Sequence, residues 1–406
     1  MELAYNNTMK RRTLAKKIIS LARKFPVISI TGPRQSGKTT LARTIFKTHN
    51  YVNLEDPDER AMALNDPRGF MRRFTGGVIL DEVQKAPDIL SYLQGIVDAD
   101  DSPGRFILTG SQQFQLLHKV GQTLAGRAAV VNLLPFTLSE LCDQESLDPY
   151  NFDLPSGMEK GPPFNLETIL FQGFYPRIHD KGIDARDWLS SYYRTYVERD
   201  VRDIINIGNL DAFQRFLMLC AGRAGQLLNL SSLAADCGIS HTTARQWLSV
   251  LQAGFITFLL PPHYANFSKR IIKSPKLYFI DSGLLCYLLK MREPSDFLFH
   301  PLKGSIFENF VVSELYKTFC HIGETPPLYF WRDRTGHEVD LIIDTGKKLI
   351  PVEIKAGETV SESFYHGLKY YMSLGKNISQ TGVVVYGGDK YYERKPFLLR
   401  AWFQCS

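Results

Sequence analysis

The spacing of apolar positions changes along the chain, and each change marks an element. Leu14, Ile18, Leu21 and Phe25 fall on one helical stripe, which predicts a short amphipathic helix ended by Pro26. Short apolar runs then alternate with helical segments. VISIT (27–31), YVNL (51–54), GVILDE (77–82), RFILTGS (105–111) and AVVNLLP (129–135) read as strands, and KTTLARTIFKTH reads as a helix. Five buried strands with helical crossovers predict an α/β domain whose parallel sheet is covered on both faces.

From Cys142 to Asn165 the chain turns polar and rich in Pro, Gly and Asp, which is linker composition. Residues 166–205 read as helical, and a compact helical block fills roughly 210–260. The last hundred residues read as a helix and three strands. Turn signals at RTG and DTGK place those strands at about 328–333, 337–344 and 348–355. The expected division is an α/β domain with a helical extension (1–205, linker about 142–165), a helical domain (206–298) and a second α/β domain (299–406).

Bulk properties narrow this modestly. A chain of 406 residues is too long for one comfortable core. A net charge of +6 permits nucleic-acid binding without arguing for it. The six cysteines form no C-x-x-C pair, which excludes zinc-ribbon and thioredoxin-like readings. Scattered thiols suit a reducing compartment. With no signal-like segment and no long apolar run, a cytoplasmic location and no membrane partner are expected.

The chemistry begins at GPRQSGKT. Gly32, Pro33, Arg34, Gln35, Ser36, Gly37, Lys38 and Thr39 fit the phosphate-loop pattern, between a buried strand and a helix. Glycines let backbone N–H groups curl around phosphate oxygens, and the helix N-terminus adds positive charge. Lys38 is expected on the β- and γ-phosphates of ATP and the Thr39 hydroxyl on Mg²⁺, with Thr40 beside it. VILDE supplies Asp81 to hold that Mg²⁺ and Glu82 to polarise the attacking water. Thr109, Ser111 or Gln112 is a candidate sensor of the γ-phosphate. Arg127 and Arg199 are candidate phosphate contacts, in cis or as a finger toward a neighbour in a homo-oligomer.

GPRQSGKTTLA, ILDEVQKAPDILSYLQGIVD, RFILTGSQQFQLL and LAGRAAVVNLLPFTLSEL together resemble the AAA-type ATP-binding proteins of bacteria and archaea. That resemblance covers nearly the whole chain. It implies the additional-strand P-loop fold, with the ILTGS strand between the P-loop strand and VILDE.

LSSLAADCGISHTTARQWLSVLQ resembles a helix-turn-helix. Gly238 makes the turn, Ser240 caps the second helix, and Ala244, Trp247, Leu248 and Leu251 face inward. His241, Thr242, Thr243, Arg245 and Gln246 then sit where a recognition helix reads base edges. Lys269, Arg270, Lys273 and Lys276 cluster in a following hairpin-like segment, as in the wing of a winged helix, and would contact DNA phosphates.

The polar face of IPVEIKA carries Glu353 and Lys355. Asp340 on the preceding strand can lie near both, and the helix GSIFENFVVSELYKTF presents Glu308. This set resembles the PD-(D/E)xK nuclease superfamily, without its Pro-Asp pair, because His337, Glu338 and Val339 precede Asp340. The resemblance implies that Glu308, Asp340 and Glu353 are Mg²⁺ ligands, with the Ile354 carbonyl as a fourth, and that Lys355 orients water or stabilises phosphate charge. Two functions are therefore expected in competition. One is an ATPase that licenses a Mg²⁺-dependent nuclease on DNA. The other is an ATP-switched DNA- or protein-binding regulator that does not cut.

Overall fold

The computed structural model describes residues 10–110, 123–154, 161–197, 209–263, 274–375 and 377–406. Ser111, Gln112, Arg199, Lys269, Arg270 and Lys273 lie outside the described residues. The first sheet contains β1 (Val27–Thr31), β2 (Asn50–Asn53), β3 (Val78–Asp81), β4 (Phe106–Gly110) and β5 (Ala128–Asn132). Its order is β2-β3-β4-β1-β5, and every pairing is parallel. Alternation along the strands feeds two cores. Val27, Val78, Leu80, Phe106 and Leu108 face the helices Pro57–Asn65, Pro67–Arg72 and Ile89–Ala99. Ile28, Ile30, Ile79 and Ile107 face the helices Leu14–Ala22 and Lys38–Ile45.

Among the described residues, six α-helices of at least six residues follow: Leu166–Gln172, Pro176–Lys181, Ala185–Tyr192, Leu210–Gly222, Leu230–Cys237 and His241–Ala253. Gly238, at φ +69°, ends the fifth helix, and the Ser240 hydroxyl accepts the Thr243 N–H at 3.0 Å to start the sixth. Caps of this kind contribute about 1 kcal/mol each. An antiparallel hairpin of β6 (Thr257–Leu260) and β7 (Lys276–Phe279) comes next.

The C-terminal sheet packs on the long helix Lys303–His321. It contains β8 (Leu328–Arg332), β9 (Glu338–Asp344), β10 (Leu349–Lys355), β11 (Gly382–Tyr386), β12 (Tyr392–Arg394) and β13 (Phe397–Ala401), in the order β12-β13-β11-β10-β9-β8. The first three strands are those expected, and the last three are additional. The second face of the sheet is covered by the helix His366–Met372. The β6–β7 hairpin meets the β8 edge, where the His263 N–H donates to the Phe330 carbonyl at 2.7 Å and the Phe330 N–H to the Pro261 carbonyl at 3.1 Å.

One continuous hydrophobic core runs through the chain from residue 134 onward. Leu134, Leu170, Trp188 and Leu189 join the same core as Phe213, Leu251, Phe310 and Val352. The exit from β5 is riveted to the long helix by buried polar groups. The Leu134 N–H donates to His321 Nε2 at 3.2 Å, the Leu138 N–H to Glu314 Oε2 at 2.7 Å, and Lys317 Nζ to the Phe136 carbonyl at 2.8 Å. Glu314 and Lys317 pair with each other at zero exposure. Removing one partner of such a pair costs about 3–5 kcal/mol, because the other charge is left buried. Among the described residues no helix is long and apolar enough to cross a membrane.

Candidate functional site

The fully buried β1 delivers the loop 32–37 to the C-terminal rim of the first sheet. Gly32 stands at φ +148°, and a Cβ there would overlap the Leu133 carbonyl. Gln35 and Gly37 also take positive φ, at 64° and 92°, so the loop doubles back to begin the helix Lys38–Ile45. Lys38 Nζ donates to the Gly32 carbonyl at 3.0 Å and the Pro33 carbonyl at 2.8 Å. Burial lowers its ammonium to about 8, against the pull of Glu82 and Asp81.

Asp81, at the end of β3, gathers three hydroxyls. Thr39 Oγ1 and the Tyr51 hydroxyl each donate to Oδ2 at 2.8 Å, and Thr109 Oγ1 donates to Oδ1. The hydroxyl of Thr39 and the carboxylate of Asp81 are hard oxygen donors side by side, which suits Mg²⁺. Glu82 follows at φ +55°, where the strand turns sharply, and accepts a hydrogen bond from Gln84. A cavity of about 510 Å³ opens here, lined by Arg34, Lys38, Thr39, Thr40, Asp81 and Glu82. Its far wall carries Lys10, Arg177 and Lys181, cations that sequence reasoning missed. The last two belong to the helix Pro176–Lys181, far along the chain, and no local motif marks them.

A buried tie supports the loop from below. Arg12 donates to the Ser36 carbonyl at 2.8 Å and the Leu134 carbonyl at 2.6 Å, and its Nε lies 3.2 Å from Glu140. His321 Nδ1 lies 3.3 Å from the other oxygen of Glu140. Burial alone would raise the Glu140 carboxyl, but Arg12 and His321 hold it well below the usual range. The long helix therefore ends against the phosphate loop's own support.

Arg127 requires a correction. It precedes β5, and its carbonyl accepts the Val27 N–H at the start of β1. That is the opposite edge of a parallel sheet from the loop at Gly32, so Arg127 cannot reach a phosphate on its own chain. Its Nε pairs with Asp98 at 2.5 Å.

The second set of residues converges at the C-terminal sheet. Antiparallel register sets Leu341 against Val352, which places Asp340 opposite Glu353. Lys355 Nζ lies 2.6 Å from Glu353 and 3.7 Å from Asp340, and Asp340 accepts the Ile354 N–H at 2.8 Å. Glu308 projects from the long helix and accepts from the Tyr278 hydroxyl at 2.6 Å. Burial raises the Glu353 carboxyl to about 8, with Asp340 adding to the shift and Lys355 opposing it. Burial likewise raises Glu308, against the pull of Lys276.

Lys276 is the second correction. Expected on a DNA-facing wing, it is 4% exposed, with Nζ 3.0 Å from Glu308 and 2.6 Å from Glu338. The β7 pleat turns Lys276 and Tyr278 toward Glu308, so this lysine is not available to a phosphate backbone. Among the described residues no three carboxylate, imidazole or thiol groups gather as a metal-holding set. As arranged, ammonium groups stand between the acids, and this donor set does not fit a divalent ion. On the helix His241–Ala253, His241, Thr242, Arg245 and Gln246 are exposed, and Thr243 is half-buried against Ser240.

The strand order, the glycine loop and the Asp-Glu rim define an AAA-type P-loop protein. Residues 24–142 match the AAA domain family. Two families described only as domains of unknown function match residues 164–295 (DUF8612) and 303–402 (DUF4143). The chain is 30% identical over 357 residues to the uncharacterized proteins Rv2008c of Mycobacterium tuberculosis and Mb2031c of Mycobacterium bovis. The match covers 87% of this chain and 76% of each of theirs, and the chain belongs to their family. Among solved structures, the Walker-type ATPase PABY2304 of Pyrococcus abyssi is 13% identical, with a TM-score of 0.45. That match covers 69% of this chain and 96% of the other.

Proposed function

We propose that the protein binds and hydrolyses ATP with Mg²⁺, and that nucleotide state governs DNA processing by residues 206–406. The observation that carries the ATPase reading is the Lys38 ammonium resting on two neutral carbonyls beside the Thr39–Asp81 pair, at an open cavity. A triphosphate would draw Lys38 off those carbonyls, since a charged acceptor is the stronger partner. The Mg²⁺ that accompanies ATP would supply charge neutralisation beside Thr39 and Asp81. Thr39 and Asp81 would hold that ion, Glu82 would orient the attacking water, and Arg177 and Lys181 would face the phosphates from across the cavity. The test is phosphate release with Mg²⁺ and ATP. Activity that is unreduced in Glu82→Gln, or tight ATP binding that survives in Lys38→Ala, refutes it.

In this reading residues 206–298 act as a winged helix. His241, Thr242, Thr243, Arg245 and Gln246 would meet base edges, and the hairpin tip would meet the phosphate backbone. Arg245→Ala should weaken DNA binding and flatten its salt dependence, as seen by fluorescence anisotropy. The C-terminal domain is read as PD-(D/E)xK-like. The assay is plasmid and linear DNA with Mg²⁺ or Mn²⁺, with and without ATP, for the wild type and Glu353→Ala. Equal behaviour of the two proteins rejects cleavage. One observation favours the second reading, a switch that binds without cutting: Lys276 and Lys355 are already paired with Glu308 and Glu353, two of the three acids a metal would need.

A further inference from the structure

Arg12 is buried at the joint between the phosphate loop and the exit from β5, and its three nitrogens go to three places. Nη1 donates to the Ser36 carbonyl at 2.8 Å, Nη2 donates to the Leu134 carbonyl at 2.6 Å, and Nε lies 3.2 Å from Glu140. The centre of the Phe136 ring lies 4.8 Å from the guanidinium carbon. Glu140 is held in turn, accepting the Thr13 N–H at 2.7 Å and the Thr137 N–H at 3.2 Å. His321 Nε2 accepts the Leu134 N–H, so the ring hydrogen sits on Nδ1, the nitrogen nearest Glu140. A buried ion pair is often no more stabilising than apolar side chains of the same volume, so stability alone does not account for this one.

The Ser36–Gly37 peptide is trans and planar, so its carbonyl and the Gly37 N–H point in opposite directions. With the carbonyl drawn onto Arg12, the N–H faces the nucleotide cavity, which Gly37 lines. Packing does little to fix that orientation. A Cβ at Gly37 would meet only Arg12 Nη1, at 3.7 Å, and glycine backbone is permissive. We propose that Arg12 is a positioning residue for the phosphate loop: it holds the Ser36 carbonyl so that the Gly37 N–H is preset toward the β-phosphate. Glu140 and His321 keep Arg12 aimed, and Arg12 acts through the peptide without a bond of its own to the nucleotide. The inference rests on the ATP-binding reading of that loop.

The experiment is steady-state phosphate release by the full chain with Mg²⁺ and ATP, together with ADP affinity by calorimetry. Arg12→Lys keeps a cation for Glu140, but one nitrogen cannot stand at Ser36, Leu134 and Glu140 together. ATP and ADP both carry the β-phosphate. The variant should therefore raise the KM for ATP and the Kd for ADP alike by about tenfold, as expected for one bond to a charged acceptor, with kcat within about threefold of wild type. A lesion that only thinned the folded population would instead lower kcat and leave KM where it was. Thr137→Ala removes the cap of the short helix Leu138–Leu141 in the same joint, so it should lower the Tm and keep KM within about twofold of wild type. A folded Arg12→Lys with KM unchanged, or Thr137→Ala raising KM as far, overturns the proposal. Should circular dichroism show Arg12→Lys unfolded, Arg12→Gln combined with Glu140→Gln carries the same expectations, because neither charge is then left stranded. Wild type that binds neither ATP nor ADP refutes the ATP reading itself, and the proposal with it.

Discussion

Two places in this molecule set lysine beside carboxylate, and they handle the charge in opposite ways. At the phosphate loop, Lys38 leans on neutral carbonyls, while three hydroxyls occupy Asp81. At the C-terminal sheet, Lys276 and Lys355 close directly on Glu308, Glu338 and Glu353. Hydrogen bonds to carbonyls give way readily to a phosphate. A buried ion pair does not, because each partner would be left desolvated and alone. The first centre is thus arranged to receive a ligand, and the second is arranged to keep its charges satisfied without one.

The sharpest way to break this contrast is Lys38→Ala. Two charge-assisted bonds to phosphate are lost, so affinity for a fluorescent ATP analogue should fall about 100-fold or more. Next is Glu82→Gln, which should lower kcat about 100-fold with nucleotide affinity unchanged, as expected on removing a group that activates water. The contrast sharpens in stability. Lys355→Met should cost about 1–3 kcal/mol in urea unfolding by stranding Glu353, and Glu353→Gln added to it should restore part of the loss. Lys38→Met, which removes only bonds to carbonyls, should cost less than about 1 kcal/mol.

The smallest effect is on pH. The Lys38 ammonium titrates near 8 when folded, below its ordinary 10.5, so its burial costs stability at low pH and that cost fades from 8 to 10.5. Phosphate favours the charged form. ATP affinity should be level below pH 8 and decline above it, with proton uptake on binding at higher pH. Calorimetry in buffers of different ionisation heat would detect this.

What the sequence disclosed is local in character. The loop, the Asp-Glu rim and the E-x-K strand are each set by neighbours within a few residues, and so is the turn at Gly238. Position along a strand is also legible: a residue entering a parallel strand lies at the opposite edge of the sheet from the phosphate loop, which argues against a cis role for Arg127. GVVVY, the source of β11, is a short apolar run of the kind that marks a buried strand. The remaining features could not be read, because they join distant residues. Arg12 with Glu140, Glu140 with His321, and Lys276 with Glu308 are pairings that depend on how the segments pack. Lys276 in particular looks like one more basic residue in KRIIKSPK until the β7 pleat is known.

The helix Lys303–His321 touches both centres, with Glu308 near one end and His321 at the other, about 20 Å apart at the rise of an α-helix. Its inward face carries Glu314, Lys317 and His321 against the β5 exit. A fragment cut to begin at Lys303 would take that face into water stripped of its mates, and the matching N-terminal piece would present unanswered backbone amides. The borders between the three matched families therefore pass through a joint, and neither half should behave as an independent protein when expressed alone.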